Sequence, residues 1–287
     1  GLFLTDLYVW MVHKKITIKM PASVPPAVSD SFTALFPGFF CLLLVWVIRM
    51  GVSFTPIETI PNLMQFIFKP LSVVGTSLPG ALICEFLVSF LWIFGIHGAN
   101  VVSGVMTAIW LAAMQQNAVA FAAHKALPNI VTQQFFDNFV HIGGSGATLG
   151  LAIMMIMFAK SDEYKTLAKL EIAPAFFNIN EPLVFGLPAV MNPFIAVPFI
   201  VAPLLNVLIT YFAMASGIVA KTIGIMVPWT TPAIISGYLA TGHISGAVLQ
   251  AVLIAVDSLV YVYFFKKADK RKVQAQMENA KKAETQA

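Results

Sequence analysis

Residues 171–193 read EIAPAFFNINEPLVFGLPAVMNP, with prolines at 174, 182, 188 and 193 and polar side chains at Asn178, Asn180, Glu181 and Asn192. An apolar stretch follows it, and the charged run Lys160–Lys169 precedes it. An unbroken lipid-facing helix does not tolerate this pattern, because each proline removes a backbone donor and its ring clashes with the preceding turn. Non-helical backbone at membrane depth survives only where protein or a watery cavity surrounds it. The segment therefore reads as re-entrant and cavity-lining, the kind of broken element on which transporters carry their substrate sites.

The rest of the chain supplies the membrane for that reading. Of 287 residues, 59% are hydrophobic and 10% charged, and mean hydropathy is +0.84. A soluble domain is about 25% charged; this chain lacks the polar residues to cover a soluble surface, so lipid must cover much of the outside. A span needs about 20 mainly apolar residues. Leu35–Phe54, Leu78–Ile96, Gly143–Ala159, Asn192–Met214 and Ile244–Phe265 fit. Val101–Met114 is short, a tilted span or a partly inserted hairpin, and Ile218–Leu239 is interrupted by Pro228 and Pro232. The predicted class is an all-α membrane protein with polytopic transmembrane helices and re-entrant, proline-broken hairpins lining a cavity. Residues 1–30 read as the end of an upstream helix and a linker, 31–265 as the transmembrane substrate-binding region, and 266–287 as a polar tail, frayed or disordered.

The net charge of +4 is concentrated in short runs, His13-Lys14-Lys15 with Lys19, and Lys266 to Lys272. That matches the Lys/Arg excess of cytoplasmic loops and places the segment before Pro21, the Lys160–Lys169 loop and the tail on the cytoplasmic side. Nucleic-acid binding is excluded, since a basic polar surface is missing. Cys41 and Cys84 sit in apolar runs without a CxxC or a His partner, and read as inert.

Glu181 is the leading functional residue. A carboxylate at the bilayer centre costs about 2.5–3.5 kcal/mol on the insertion scale and persists where it faces a cavity with polar partners. The alternative is a structural charge at a helix N-terminus. His97, in WIFGIHGANVVSG, is flanked by Gly95 and Gly98, and a break there would bring it and Trp92 to one cavity, with Asn100 on its face. An interhelical hydrogen-bonding histidine is the competing role. The HIGGSGATLGL run, with Gly144 and Ser145, offers backbone amides at a helix N-terminus, or else small-residue packing. It is neither a Walker loop nor a dinucleotide loop. Trp229, in VPWTTP, is a stacking platform or an interfacial belt residue. Glu85, Asp137 and Asp257 read as helix-end or inter-helix partners. No metal-ligand spacing, nucleophile elbow or paired catalytic carboxylates occur.

Taken together, FFNINEPLVFGLPAVMNP, LWIFGIHGA, GGSGATLGL and VPWTTP resemble the membrane-embedded enzyme IIC of the bacterial phosphoenolpyruvate-dependent sugar phosphotransferase system, in its lactose/cellobiose/diacetylchitobiose branch. The likeness runs over nearly the whole chain in order. It implies a homodimeric, multi-pass permease of a bacterial cytoplasmic membrane, a disaccharide substrate, and a cytoplasmic phosphocysteine enzyme IIB (fed by IIA) as phosphoryl donor. The chain is then the membrane component of a protein-phosphocysteine-sugar phosphotransferase and needs no cofactor or metal of its own. By the resemblance Glu181 and His97 are the catalytic pair, and Trp92 and Trp229 contact the sugar; Asn100, Asn180, Gly144 and Ser145 are added as substrate-binding candidates from the residues themselves. Family members run well over 400 residues, so the helices expected upstream are not in this sequence. An ion-coupled transporter with Glu181 as proton carrier, and a membrane scaffold, are the rival classes.

Overall fold

The prolines and buried amides of this chain decide where its helices stop. The computed structural model describes residues 2–17, 26–56, 59, 72–187 and 193–286. Among them the helices are α1 (Leu2–His13), α2 (Pro26–Ser53), α3 (Leu78–Ile93), α4 (Gly98–Ala122), α5 (Leu149–Phe158), α6 (Asp162–Phe176), α7 (Glu181–Gly186), α8 (Pro193–Ala215), α9 (Ile235–Thr241) and α10 (Ile244–Gln286). A short turn at Gln133–Phe135 runs into a π-helical turn at Phe136–Val140, and no described residue is in a strand.

The chain forms two compact units, 1–69 and 70–287. In the first, α2 is apolar over Thr33–Ser53 and almost none of that stretch is buried. Leu42, Trp46, Val47 and Ile48 all point outward, as a lipid-facing helix requires. The Cys41 thiol lies 3.8 Å from the Leu4 carbonyl of α1. In the second unit α10 runs against α5, α8 and α9, α8 against α3, and α5 against α6. Four helical stretches, Thr33–Ser53, Gly98–Ala122, Phe194–Ala215 and Ile244–Glu278, are long and apolar enough to cross a membrane.

Caps set the boundaries. The Ser77 hydroxyl accepts from the Gly80 amide at 3.2 Å to start α3, and the Ser161 hydroxyl accepts from Tyr164 at 3.4 Å to start α6. Asp162 and Glu163 follow in the first turn of α6, where the helix dipole favours negative charge. The Lys160–Lys169 region, expected as a loop, is therefore mostly helix. The tail expected to fray continues α10 without a break. Val101–Met114 lies inside the longer α4. The linker expected over Ile16–Asp30 already turns helical at Pro26, with residues 18–25 outside the described set.

Two expected spans are not helical along their whole length. Gly143–Ala159 yields only the ten-residue α5, because Gly143, Gly144, Gly146 and Ala147 all take positive φ. In Ile218–Leu239 only α9 is helical. Pro228 and Pro232 withhold backbone donors there, and side chains take over the bonding. Gln134 donates to the Val227 carbonyl at 3.3 Å and accepts from the Val227 amide at 3.2 Å. Asn117 donates to the Thr222 carbonyl at 2.8 Å. Gln250 of α10 is the clamp: its carbonyl accepts from the Ile234 and Gly237 amides at 2.5 and 2.7 Å, and its amide donates to the Asn138 carbonyl and the Ser236 hydroxyl at 2.5 and 2.8 Å.

Leucine at position 250 fits the volume but strands those buried partners, each at about 1–3 kcal/mol. Gln250→Leu is therefore expected to lower the unfolding temperature in detergent by more than any single surface substitution, while Gln250→Glu, which keeps the acceptor, falls between. A melt of the Leu variant matching the wild type would show that the 219–237 segment does not depend on this side chain.

Candidate functional site

Glu181 is the first residue of α7, and the backbone that delivers it is a tight corner. α6 carries Pro174 in its last turn. Asn178 then takes φ +61°, a left-handed conformation that asparagine tolerates better than most residues. Asn180 sits at the cap of α7, and Pro182 lies in the first turn, where its missing N–H costs nothing.

Two buried asparagines fasten this corner to two other loops. Asn178 accepts from the Gly143 amide at 2.7 Å and donates to the carbonyls of Trp229 at 2.5 Å and Thr231 at 3.3 Å. Asn180 donates to the Ser145 carbonyl at 2.6 Å and the Thr148 hydroxyl at 2.9 Å. The Thr148 hydroxyl in turn donates to the Gly143 carbonyl at 2.6 Å. Gly144 has φ +93°, and a Cβ there would come within 2.6 Å of the Asn180 side chain. Gly144, Ser145, Asn180 and the Trp229 backbone are thus brought together, and the Asn180 amide nitrogen is committed to holding them. His141, at the head of the glycine-rich loop, bonds Glu85 of α3 at 2.6 Å. Glu85 is an inter-helix partner as expected, and so is Asp257, which accepts from Asn206 across α8 and α10 at 3.1 Å. Asp137 instead accepts from Gln133 of its own turn at 2.9 Å.

The second part of the site is the turn between α3 and α4. Gly95 takes φ +76°, and Gly98 packs where a Cβ would meet the Val88 carbonyl at 2.0 Å. This break folds the His97 ring back onto Trp92, with centroids 4.4 Å apart. His97 caps α4, its Nδ1 accepting from the Asn100 amide at 3.3 Å. That bond assigns the proton to Nε2, which is then a donor. Asn100 itself is exposed.

Phe185 joins the two parts. It lies four residues after Glu181 on α7, and its ring meets Trp92 edge-on at 6.3 Å. Trp92 is buried at 3% exposure, and its indole Nε1 has no hydrogen-bond partner among the described residues. A buried unpaired donor beside a histidine donor is suited to a ligand carrying hydroxyls, and Glu181 is exposed at the head of the short helix that carries Phe185. The indole of Trp229 is about half exposed, free to offer a face, and makes no ring contact with Trp92 or His97 among the described residues. Pro188 to Asn192 lie outside those residues.

Sequence reasoning missed Phe185, whose only signal is its helical spacing from Glu181. It also missed Asn178 as a brace, and Glu171. Glu171 on α6, outside the candidate spans, is fully buried, and no side chain among the described residues bonds either oxygen. Burial, and after it the charge of Glu181, push its carboxyl from 4.5 up to about 7, with the Leu183 amide pulling the other way.

Comparison with known proteins adds the following. The family model for the phosphotransferase system EIIC matches residues 1–203. The lichenan permease IIC component of Bacillus subtilis (strain 168) is 51% identical over 94% of this chain and 60% of its own length. The PTS system cellobiose-specific EIIC component of Geobacillus stearothermophilus is 50% identical over 93% of this chain and 60% of its own length. The crystal structure of the transporter ChbC, the IIC component from the N,N'-diacetylchitobiose-specific phosphotransferase system, superposes with a TM-score of 0.89 at 47% identity, covering 96% of this chain and 64% of that one. The chain spans about three fifths of the length of the curated relatives it matches.

A carboxyl whose pKa is higher folded than unfolded weakens the fold as pH climbs from its unfolded value, 4.5, through its folded value, about 7, because the unfolded chain ionises first. The wild type is therefore expected to melt at progressively lower temperature between those pH values, and Glu171→Gln to flatten that slope. Parallel slopes for the two proteins would remove Glu171 from the pH response.

Proposed function

The chain belongs to the phosphotransferase-system EIIC family, and on that premise we propose that it is the sugar-binding part of a multi-pass permease in a bacterial cytoplasmic membrane, taking a disaccharide of the cellobiose, lactose or diacetylchitobiose kind. The observation that carries the reading is the orphaned Trp92 donor. It sits against His97 at 4.4 Å and against Phe185 of the short helix headed by Glu181. Two hydrogen-bonding groups lie against aromatic rings, with Glu181 heading the helix that brings Phe185 to them, and a sugar needs both: hydroxyl partners and a flat surface for its apolar face.

In this reading the sugar is phosphorylated as it enters. A phosphocysteine on a cytoplasmic enzyme IIB, itself charged by IIA, loses its S–P bond as the sugar's primary hydroxyl forms an O–P bond, and the hydroxyl proton passes by way of Glu181 to the cysteine thiolate that is released. The Glu181 carboxylate accepts that hydrogen bond, orients the hydroxyl and raises its electron density. His97 Nε2–H donates to a neighbouring sugar oxygen, and Trp92 supplies its unpaired N–H. Trp229 packs on a ring, and Gly144, Ser145, Asn180 and Asn100 frame the pocket. The full permease works as a homodimer, with Lys160–Lys169 and the 266–287 end of α10 on the cytoplasmic side, where clustered lysines stay.

Glu181→Gln keeps the shape and removes the charge. Sugar affinity in vesicles is expected to fall by about 1–3 kcal/mol, and IIB-dependent sugar phosphorylation to fall further still. A variant that binds and exchanges sugar normally but cannot accumulate it against a proton gradient would indicate ion coupling instead; wild-type binding and phosphorylation would take Glu181 out of the site.

Trp229→Ala is expected to cost about 1–3 kcal/mol of sugar affinity with membrane insertion intact. Unchanged affinity would leave Trp229 as an interfacial residue. Orientation is tested separately by a single cysteine at position 275, which should resist an impermeant thiol reagent in intact cells and react after lysis.

A further inference from the structure

Far along α10 from the Glu181 corner, where the helix leaves its apolar stretch, there is a cavity of about 600 Å³. Lys160, Lys266 and Lys270 line it, and Phe158, Val273 and Met277 form its apolar wall. None of the three lysines has an ion-pair partner among the described residues, whereas nearby Lys272 is paired with Glu163 at 2.9 Å. The one acid at the cavity is Asp269. It is buried and turned to the head of α6, where its two oxygens accept from the Lys160 and Ser161 amides at 2.9 and 3.0 Å. Its carboxylate is thus occupied in capping a helix, and none of the three ammonium groups is paired with it or with another acid among the described residues.

The cations are also held in place. The Lys266 ammonium sits 4.5 Å from the centre of the Phe158 ring, which fixes it at the cavity wall. On the neighbouring face of α10, Lys267 and Arg271 lie over Phe194 at 5.2 and 4.0 Å. Cations laid on aromatic rings, directly after the apolar run that ends in Phe264 and Phe265, mark the level at which a bilayer's phosphates lie.

A ligand for this cavity needs one phosphate-like negative charge and an apolar part beside it. Inorganic phosphate and sugar phosphates have the charge but nothing to cover Phe158, Val273 and the exposed Met277. We propose that the cavity is a headgroup site for an anionic phospholipid, with the phosphate between Lys160, Lys266 and Lys270 and the glycerol and upper acyl chain on the apolar wall. Such a lipid joins the α5–α6 connection to α10 and neutralises charges that would otherwise repel one another. The inference relies on the chain spanning a membrane, not on any role of Glu181 or on the sugar.

The test is lipid retention by the chain at its full natural length, purified in detergent, exposed to mixed micelles of phosphatidylglycerol or phosphatidylcholine and read by native mass spectrometry. Phosphatidylglycerol is expected to be retained in preference to phosphatidylcholine, and the Lys266→Gln/Lys270→Gln variant to lose about tenfold of that preference. The Lys266→Arg/Lys270→Arg variant keeps the charge and should keep the preference, as should Lys14→Gln/Lys15→Gln, which removes equal charge elsewhere. Equal retention of the two lipids by the wild type overturns the proposal, and that comparison needs no variant to fold. So does displacement of phosphatidylglycerol by glycerol phosphate at equal concentration, which would make the ligand a free phosphate. Loss of preference in the Lys14/Lys15 control would reduce the effect to net charge and overturn it as well.

Discussion

Backbone that leaves the helix inside an apolar protein must find every hydrogen bond within the protein, because no water is there to supply them. The corner ahead of Glu181 meets this demand with two asparagine side chains. Asn178 reaches the loops at Gly143 and at Trp229–Thr231 together, and Asn180 reaches Ser145 and Thr148. An amide side chain carries a donor and an acceptor on one short stem, so it can stand in for a missing backbone partner on either side. Three irregular segments, distant in sequence, are fastened at a single place, and the candidate catalytic carboxylate stands immediately beside it.

The same device appears at the other end of the 219–234 stretch. Gln134, Asn117 and Gln250 bond a chain that prolines keep from coiling. All three side chains are buried. A buried polar network of this sort is stable only when nearly all its members are satisfied. The group left without a partner is therefore informative, and the Trp92 indole N–H is such a group in the candidate site. It lies among rings, next to a histidine whose hydrogen bond to Asn100 directs its other nitrogen outward as a donor. Fixed bonds build the corner, and open ones are left where a ligand would make them.

Charge follows a similar division. Glu85 and Asp257 are buried and each has a partner on another element, the loop residue His141 for Glu85 and Asn206 of α8 for Asp257. Glu171 has no side-chain partner among the described residues, and its carboxyl is pushed up to about 7 by burial and by Glu181. The charge of Glu181, on the other side of the same corner, is the second cause of that rise after burial. Lysines, by contrast, gather at the far end of α10, outside the apolar run, where their charges need no burial.

Composition and hydropathy alone established a helical membrane protein, and the proline-polar stretch at 171–193 alone located the broken segment. Both are one-dimensional properties: apolar length makes a span, and a proline cannot donate its N–H wherever it lies in space. Glu181 and His97 were also legible, since an acid or a histidine within apolar sequence demands an explanation. Hydropathy misjudged the start of 143–159 and most of 218–239, which are apolar enough to span yet not helical there, because positive-φ glycines and side-chain bonds from Asn178, Gln134 and Gln250 hold the backbone in other shapes. It also missed Phe185, ordinary in sequence, and Glu171, whose burial depends on what packs over it. The sequence determined which residues are costly to bury. Only the tertiary structure decided which of them are satisfied and by what, because the partners lie 35 to 112 positions away along the chain, and such distances are closed by packing alone.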